Sequence, residues 1–137
     1  PGEQVKPAAS KSLRRSQMRR LAARIRGDDH FENKKEESVL RLLTTPVMDY
    51  EDAKSGLIQG AIFVLAHGTD PEIIVMIEAR KDADREFYRY ALAPMTGYEL
   101  RAYIGKNEVW HKPEHREVSK TEDVFVMRGV PKLKDFE

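Results

Sequence analysis

The pattern of apolar and polar positions divides the chain into two textures. Residues 12–26 (SLRRSQMRRLAARIR) repeat apolar positions at helical spacing. Met18, Leu21, Ala22 and Ile25 form one stripe, and Leu13 extends it. Ser10 or Ser12 can cap this helix, and Gly27 suits its stop. Residues 1–10 have little to bury and read as a flexible lead-in. Asp28-Asp29-His30 reads as a polar turn. Residues 33–43 (NKKEESVLRLL) predict a second, shorter helix. Asn33 and Glu36 stand in a capping arrangement, and Val39, Leu40 and Leu43 form the buried side. Pro46 ends it, because the residue before proline avoids the helical region.

From residue 47 the period shortens to strand spacing. Val47–Tyr50 alternates, and Glu51–Gly56 reads as a turn. Gly60–Ala66 and Glu72–Arg80 are apolar runs rich in β-branched residues, joined by Gly68-Thr69-Asp70-Pro71. That turn chemistry predicts a hairpin. Thr69–Glu72 also fits a helix cap, so a helix through residue 91 is the competing reading. Ile73-Ile74-Val75 and the charged break Lys81–Arg85 favour strands. Residues 87–93, 98–104, 108–111 and 124–127 complete the strands, with Gly97 and Gly105-Lys106-Asn107 as turns. The expected fold is α+β: two N-terminal helices, then an antiparallel β-meander of about five to seven strands. The expected division is a basic arm at 1–27 and a single α+β domain at 28–137.

Composition changes this picture in two ways. The 137 residues include no cysteine, which excludes disulfides and Cys-ligated zinc or iron–sulfur sites. No apolar run reaches the ~18 residues of a membrane span, and residues 1–11 lack the apolar core of a secretory signal. A cytoplasmic location is expected. The net charge of +1 conceals a split. Residues 1–26 hold eight Lys/Arg and one acid, so +7. The remainder holds 16 Lys/Arg and 22 Asp/Glu, so −6.

The basic helix is therefore the leading functional signal. Lys11, Arg14, Arg15, Arg19, Arg20, Arg24 and Arg26 are the expected contacts to a partner or a polyanion. Arginine suits bidentate contact with carboxylate or phosphate. A non-enzymatic interaction or assembly module follows, docking through this helix onto a protein partner or a second copy. Nucleic-acid binding is the alternative, although the helix lacks aromatics for base stacking. A basic amphipathic helix can also lie on an anionic membrane surface or meet another acidic partner. The helix can equally pack on its own acidic body.

Other polar clusters are weaker. His111-Lys112-Pro113-Glu114-His115 has the order of an inverted zinc-protease string, but Pro113 argues for a loop. His67, Asp70 and Glu72 flank a tight turn and could do acid–base work in a small enzyme. Arg89 could reach Glu78 across the strand ladder, as an ion pair or a pocket lining. Tyr88, Tyr90, Tyr98, Tyr103 and Trp110 are expected in cross-strand pairs. No catalytic residue, metal site or cofactor is assigned.

Overall fold

A computed structural model of the chain describes residues 5–30 and 38–114. It is α+β, with one helix and two four-stranded antiparallel sheets. Helix α1 spans Lys11–Ala22. The strands are β1 (Ile25–His30), β2 (Ser38–Val39), β3 (Arg41–Asp52), β4 (Leu57–His67), β5 (Asp70–Asp82), β6 (Arg85–Pro94), β7 (Glu99–Ile104) and β8 (Asn107–Lys112).

The first helix forms as expected. Ser10 caps it, its hydroxyl accepting from the Leu13 N–H at 3.2 Å. Met18, Leu21 and Ala22 turn inward and pack on β3, β4 and β5. The lead-in is fixed from Pro7 onward rather than loose. Pro7 is buried, and the Ala8 N–H donates to the Gln17 side chain at 2.8 Å.

The second helix does not form where it can be described. Residues 38–39 and 41–43 are strand, and residues 33–37 lie outside the described residues. The burial there has a period of two: Val39 is 63% exposed and Leu40 only 5%. Alternation of that kind is the strand signature, and the capping arrangement upstream misled the helical reading. Thr44, Thr45 and Val47 extend the β preference. Pro46 sits in a register break of β3, between Leu43 and Met48, where a missing N–H costs no ladder bond.

The meander holds for only one sheet. β3-β4-β5-β6 run side by side in sequence order. The other sheet is ordered β2-β1-β7-β8, joining the two ends of the described chain. Gly27 is thus inside a strand, and α1 stops earlier, with Ala23 as its C-terminal cap. A Cβ on Gly27 would lie 2.8 Å from the Leu65 side chain and 3.1 Å from Ile73 and Leu40. That close approach is where the two sheets meet. Their shared core includes Phe63, Leu65, Ile73, Val75, Ile77, Tyr88, Tyr90, Leu100 and Ile104.

Residues 72–91 are strands, not a helix. Their hairpin turns are tight. His67 pairs with Asp70 and Asp82 with Arg85. Gly68 takes φ +59° in the first turn, but Ala83 takes φ +50° in the second, without glycine's freedom. The expected strand at 124–127 lies outside the described residues.

Candidate functional site

The seven cations of the basic segment divide by position. Those of the helix N-terminal half are tied to the chain's own body. Lys11 Nζ lies 3.4 Å from Glu51 Oε1, and Arg15 forms a two-pronged ion pair with Asp49. Arg14 donates to the buried Gln59 side chain at 2.9 Å and to the Ala8 and Ala9 carbonyls. These contacts seat the helix N-terminal half on β3 and β4. Arg26 lies on β1, where it bridges Asp28 at 3.4 Å and stacks over the Tyr103 ring at 4.4 Å. Arg19 and Arg20 occupy the last turn and are exposed, as is Arg24 just beyond. The opposing carbonyl dipoles of the helix end favour this placement.

A second cluster gathers at the β4–β5 hairpin. His67 Nδ1 lies 2.8 Å from Asp29 Oδ2 and 3.3 Å from Ser38 Oγ. Asp29 is fully buried on β1. Glu72, almost fully buried near the start of β5, hydrogen-bonds Thr96. Burial, and then the nearby Asp29 charge, push its carboxyl above the ordinary range. Among the expected residues His67, Asp70 and Glu72, the side-chain contact shown for His67 is to Asp29 and Ser38. Aspartate in a run read as a turn gave no sign of burial. A nucleophilic relay needs serine on one imidazole nitrogen and carboxylate on the other. Here Ser38 and Asp29 share the same nitrogen, so the set does not form that relay. It ties β1, β2 and the hairpin together.

Glu78 organises a third cluster. It is 7% exposed. Arg89 lies directly opposite in the ladder, donating from Nε at 2.6 Å. Arg80 donates at 3.2 Å and the Tyr50 hydroxyl at 3.0 Å. Desolvation raises the Glu78 carboxyl, but the bonds from Arg89, Tyr50 and Arg80 outweigh it and hold it below the usual range. Tyr50 shifts upward through burial and the Glu78 charge. The cross-strand ion pair is present, Arg80 joins it from the same strand face at two-residue spacing, and Tyr50 is the partner that strand spacing did not reveal.

His111 lies on a strand, so the helical spacing that a zinc-protease string requires does not occur at its start. His111 Nε2 instead lies 2.9 Å from Glu99 Oε1, within a surface network of Glu99, Arg101 and Glu108. His115 lies outside the described residues. Among the described residues, no three His, Asp or Glu side chains are arranged to hold a metal ion. No described helix is long and apolar enough to cross a membrane. Tyr88 and Tyr90 are core residues, and Tyr98 is exposed. Burial pushes the Tyr88 hydroxyl up to about 12, while that hydroxyl donates to Gln17 of α1 at 2.7 Å. Comparison with known families, with curated proteins and with solved structures finds no match to this chain.

Proposed function

We propose that the chain is a non-enzymatic interaction module, in which α1 presents arginines to an acidic protein partner. The carrying observation is the division of labour on the helix. Met18, Leu21 and Ala22 are buried, and Lys11, Arg14 and Arg15 anchor to the body. The helix is therefore a fixed ridge with Arg19 and Arg20 exposed in its last turn. Arginines held on a rigid element lose less freedom when they engage carboxylates than those on a loose arm. No acidic residue interrupts residues 11–26, so the ridge keeps one sign of charge.

Titration with a fluorescent oligoglutamate peptide, beside a duplex DNA of equal charge, tests this reading. The peptide should bind, weaken as salt rises, and weaken at least about tenfold for the Arg19→Glu/Arg20→Glu variant. Peptide binding untouched by that variant would refute the proposal. Duplex binding tighter than peptide binding, with a steep salt dependence, would establish the nucleic-acid alternative instead.

A further inference from the structure

A sheet edge is a row of unsatisfied backbone groups, and proteins guard such edges with bulges, prolines, charge or brevity. Among the described residues the two sheets have four edge strands: β2, β8, β3 and β6. β2 has two residues. β8 is short, with a register shift opposite Ala102 and Tyr103. β3 carries Pro46 and two register shifts. β6 differs from all of these. It runs from Arg85 to Pro94 and pairs with β5 residue for residue, without a break.

The charge guard on β6 is also spent. Arg89 is bound to the buried Glu78 at 2.6 Å, and Glu86 lies 4.0 Å from Lys6. Between Arg89 and Pro94 the strand holds only Tyr90, Ala91, Leu92 and Ala93. Arg85 at the hairpin turn and Pro94 at the far end guard only the two ends of the strand.

The hydrogen-bond phase of this edge follows from one contact. The Met95 N–H donates to the Glu72 carbonyl at 2.8 Å. In an antiparallel ladder the residues that face the partner strand alternate. The odd-numbered residues of β6 therefore turn their backbone groups to β5. Tyr88 and Leu92 turn theirs away from it. Pro94 falls in this outward set, where a missing N–H interrupts no bond to β5.

We propose that β6 is a dimerisation edge, pairing antiparallel with β6 of a second copy. The sequence is self-complementary in one two-fold register. That register sets Tyr88 opposite Leu92 of the second copy, and Phe87 opposite Ala93. Arg89 then faces Ala91 rather than another arginine. Sliding by two residues toward the hairpin puts Arg89 opposite Arg89, a like-charge pair directly across the ladder. Sliding the other way brings Pro94 opposite Tyr88 and shortens the ladder. The favoured register joins the two copies of the β3–β6 sheet into one continuous sheet about an isologous contact. It stands apart from the arginine ridge and uses none of its residues.

The chain has no cysteine, so introduced thiols report on the register directly. Residues directly opposite in the non-hydrogen-bonded positions of an antiparallel pair lie about 4.5 Å apart at Cα, within disulfide reach. Full-length Phe87→Cys and Ala93→Cys chains, mixed and oxidised, should crosslink with each other faster than either does with itself. Sedimentation of the full chain should show a monomer–dimer equilibrium. Ala91→Lys, which places a like charge against Arg89 twice per dimer, should weaken it about fivefold. The Tyr88 and Leu92 amides should gain exchange protection as concentration rises.

Three outcomes overturn the proposal. The chain could remain a monomer with these amides unprotected at every concentration. The amides could be protected to the same degree at all concentrations, which would mean that the chain covers its own edge. A dimer could form that neither crosslinks in this register nor responds to Ala91→Lys, which would place the contact elsewhere.

Discussion

Gly60 provides a sharp test of how the Glu78 cluster is built. A methyl group at Gly60 would sit 2.3 Å from Tyr50 Cζ, and 2.5 and 2.8 Å from two further ring carbons. The three contacts span the ring, so no small rotation relieves them and the whole ring must lift. Overpacking of this kind costs about 1–3 kcal/mol. Lifting the ring also removes the Tyr50 hydroxyl from Glu78, now 3.0 Å away. A hydrogen bond to a charged group contributes about 1.5–3 kcal/mol, and part survives here because Arg89 and Arg80 remain. Gly60→Ala should therefore destabilise the fold by about 3 kcal/mol in urea unfolding. Tyr50→Phe keeps the ring and loses only the hydroxyl, so it should cost about half as much. The decisive measurement is the double variant. With Tyr50→Ala in place the clash has no partner, and adding Gly60→Ala should cost under about 0.5 kcal/mol. An equal cost of Gly60→Ala in both backgrounds would show that the ring does not rest on this glycine.

Three further outcomes are expected. Ala83→Gly should stabilise by about 0.5–1 kcal/mol, the relief of a left-handed alanine less glycine's greater unfolded freedom; an unchanged or lower melting temperature would contradict the φ of +50°. Glu72→Gln should stabilise at neutral pH, because burial and Asp29 oppose ionisation of Glu72. Its carboxyl is raised in the fold, so the cost is absent below the ordinary carboxylate range and grows as pH rises through it; paired urea titrations at pH 3 and pH 7 should show the gain only at the higher pH. Met18→Ala should cost about 2–5 kcal/mol if α1 is an integral layer, since Met18 is fully buried; a loss below 1 kcal/mol would mean that the helix is only loosely docked.

Strand existence was legible wherever β-branched residues cluster, as at Ile73-Ile74-Val75 and in Gly60–Ala66, because those side chains suit a pleated, buried surface. The cap at Ser10 and the stripe from Met18 to Ala22 were legible for the same local reason. What failed was non-local. Asp28 and Asp29 are polar, yet both are fully buried in β1, placed there by pairing with β7. Nothing within six residues of them signals that partner. Residues 38–43 failed because a helix-start arrangement upstream competed with a short alternation that only β1 and β4 stabilise. Of the candidate site residues, the cations were easy to find. Their division into anchoring and exposed members was not, since Asp49, Glu51 and Gln59 lie some forty residues away along the chain.

The order of the two sheets also sets an order in time. β3 through β6 are sequence neighbours joined by tight turns, so each pairing closes only a short loop and the four can assemble progressively. β1 has only the two-residue β2 beside it in sequence, which pairs with it at just two positions. Its partner β7 begins at Glu99, and Ile25 meets Ile104 only after the intervening chain exists. On a ribosome, β1 emerges early and waits through the synthesis of the entire meander. During that interval its buried aspartates remain in water, which a strand of Asp28 and Asp29 tolerates better than an apolar one would. The same acidic pair that is hardest to explain in the finished core keeps the waiting strand soluble until β7 arrives.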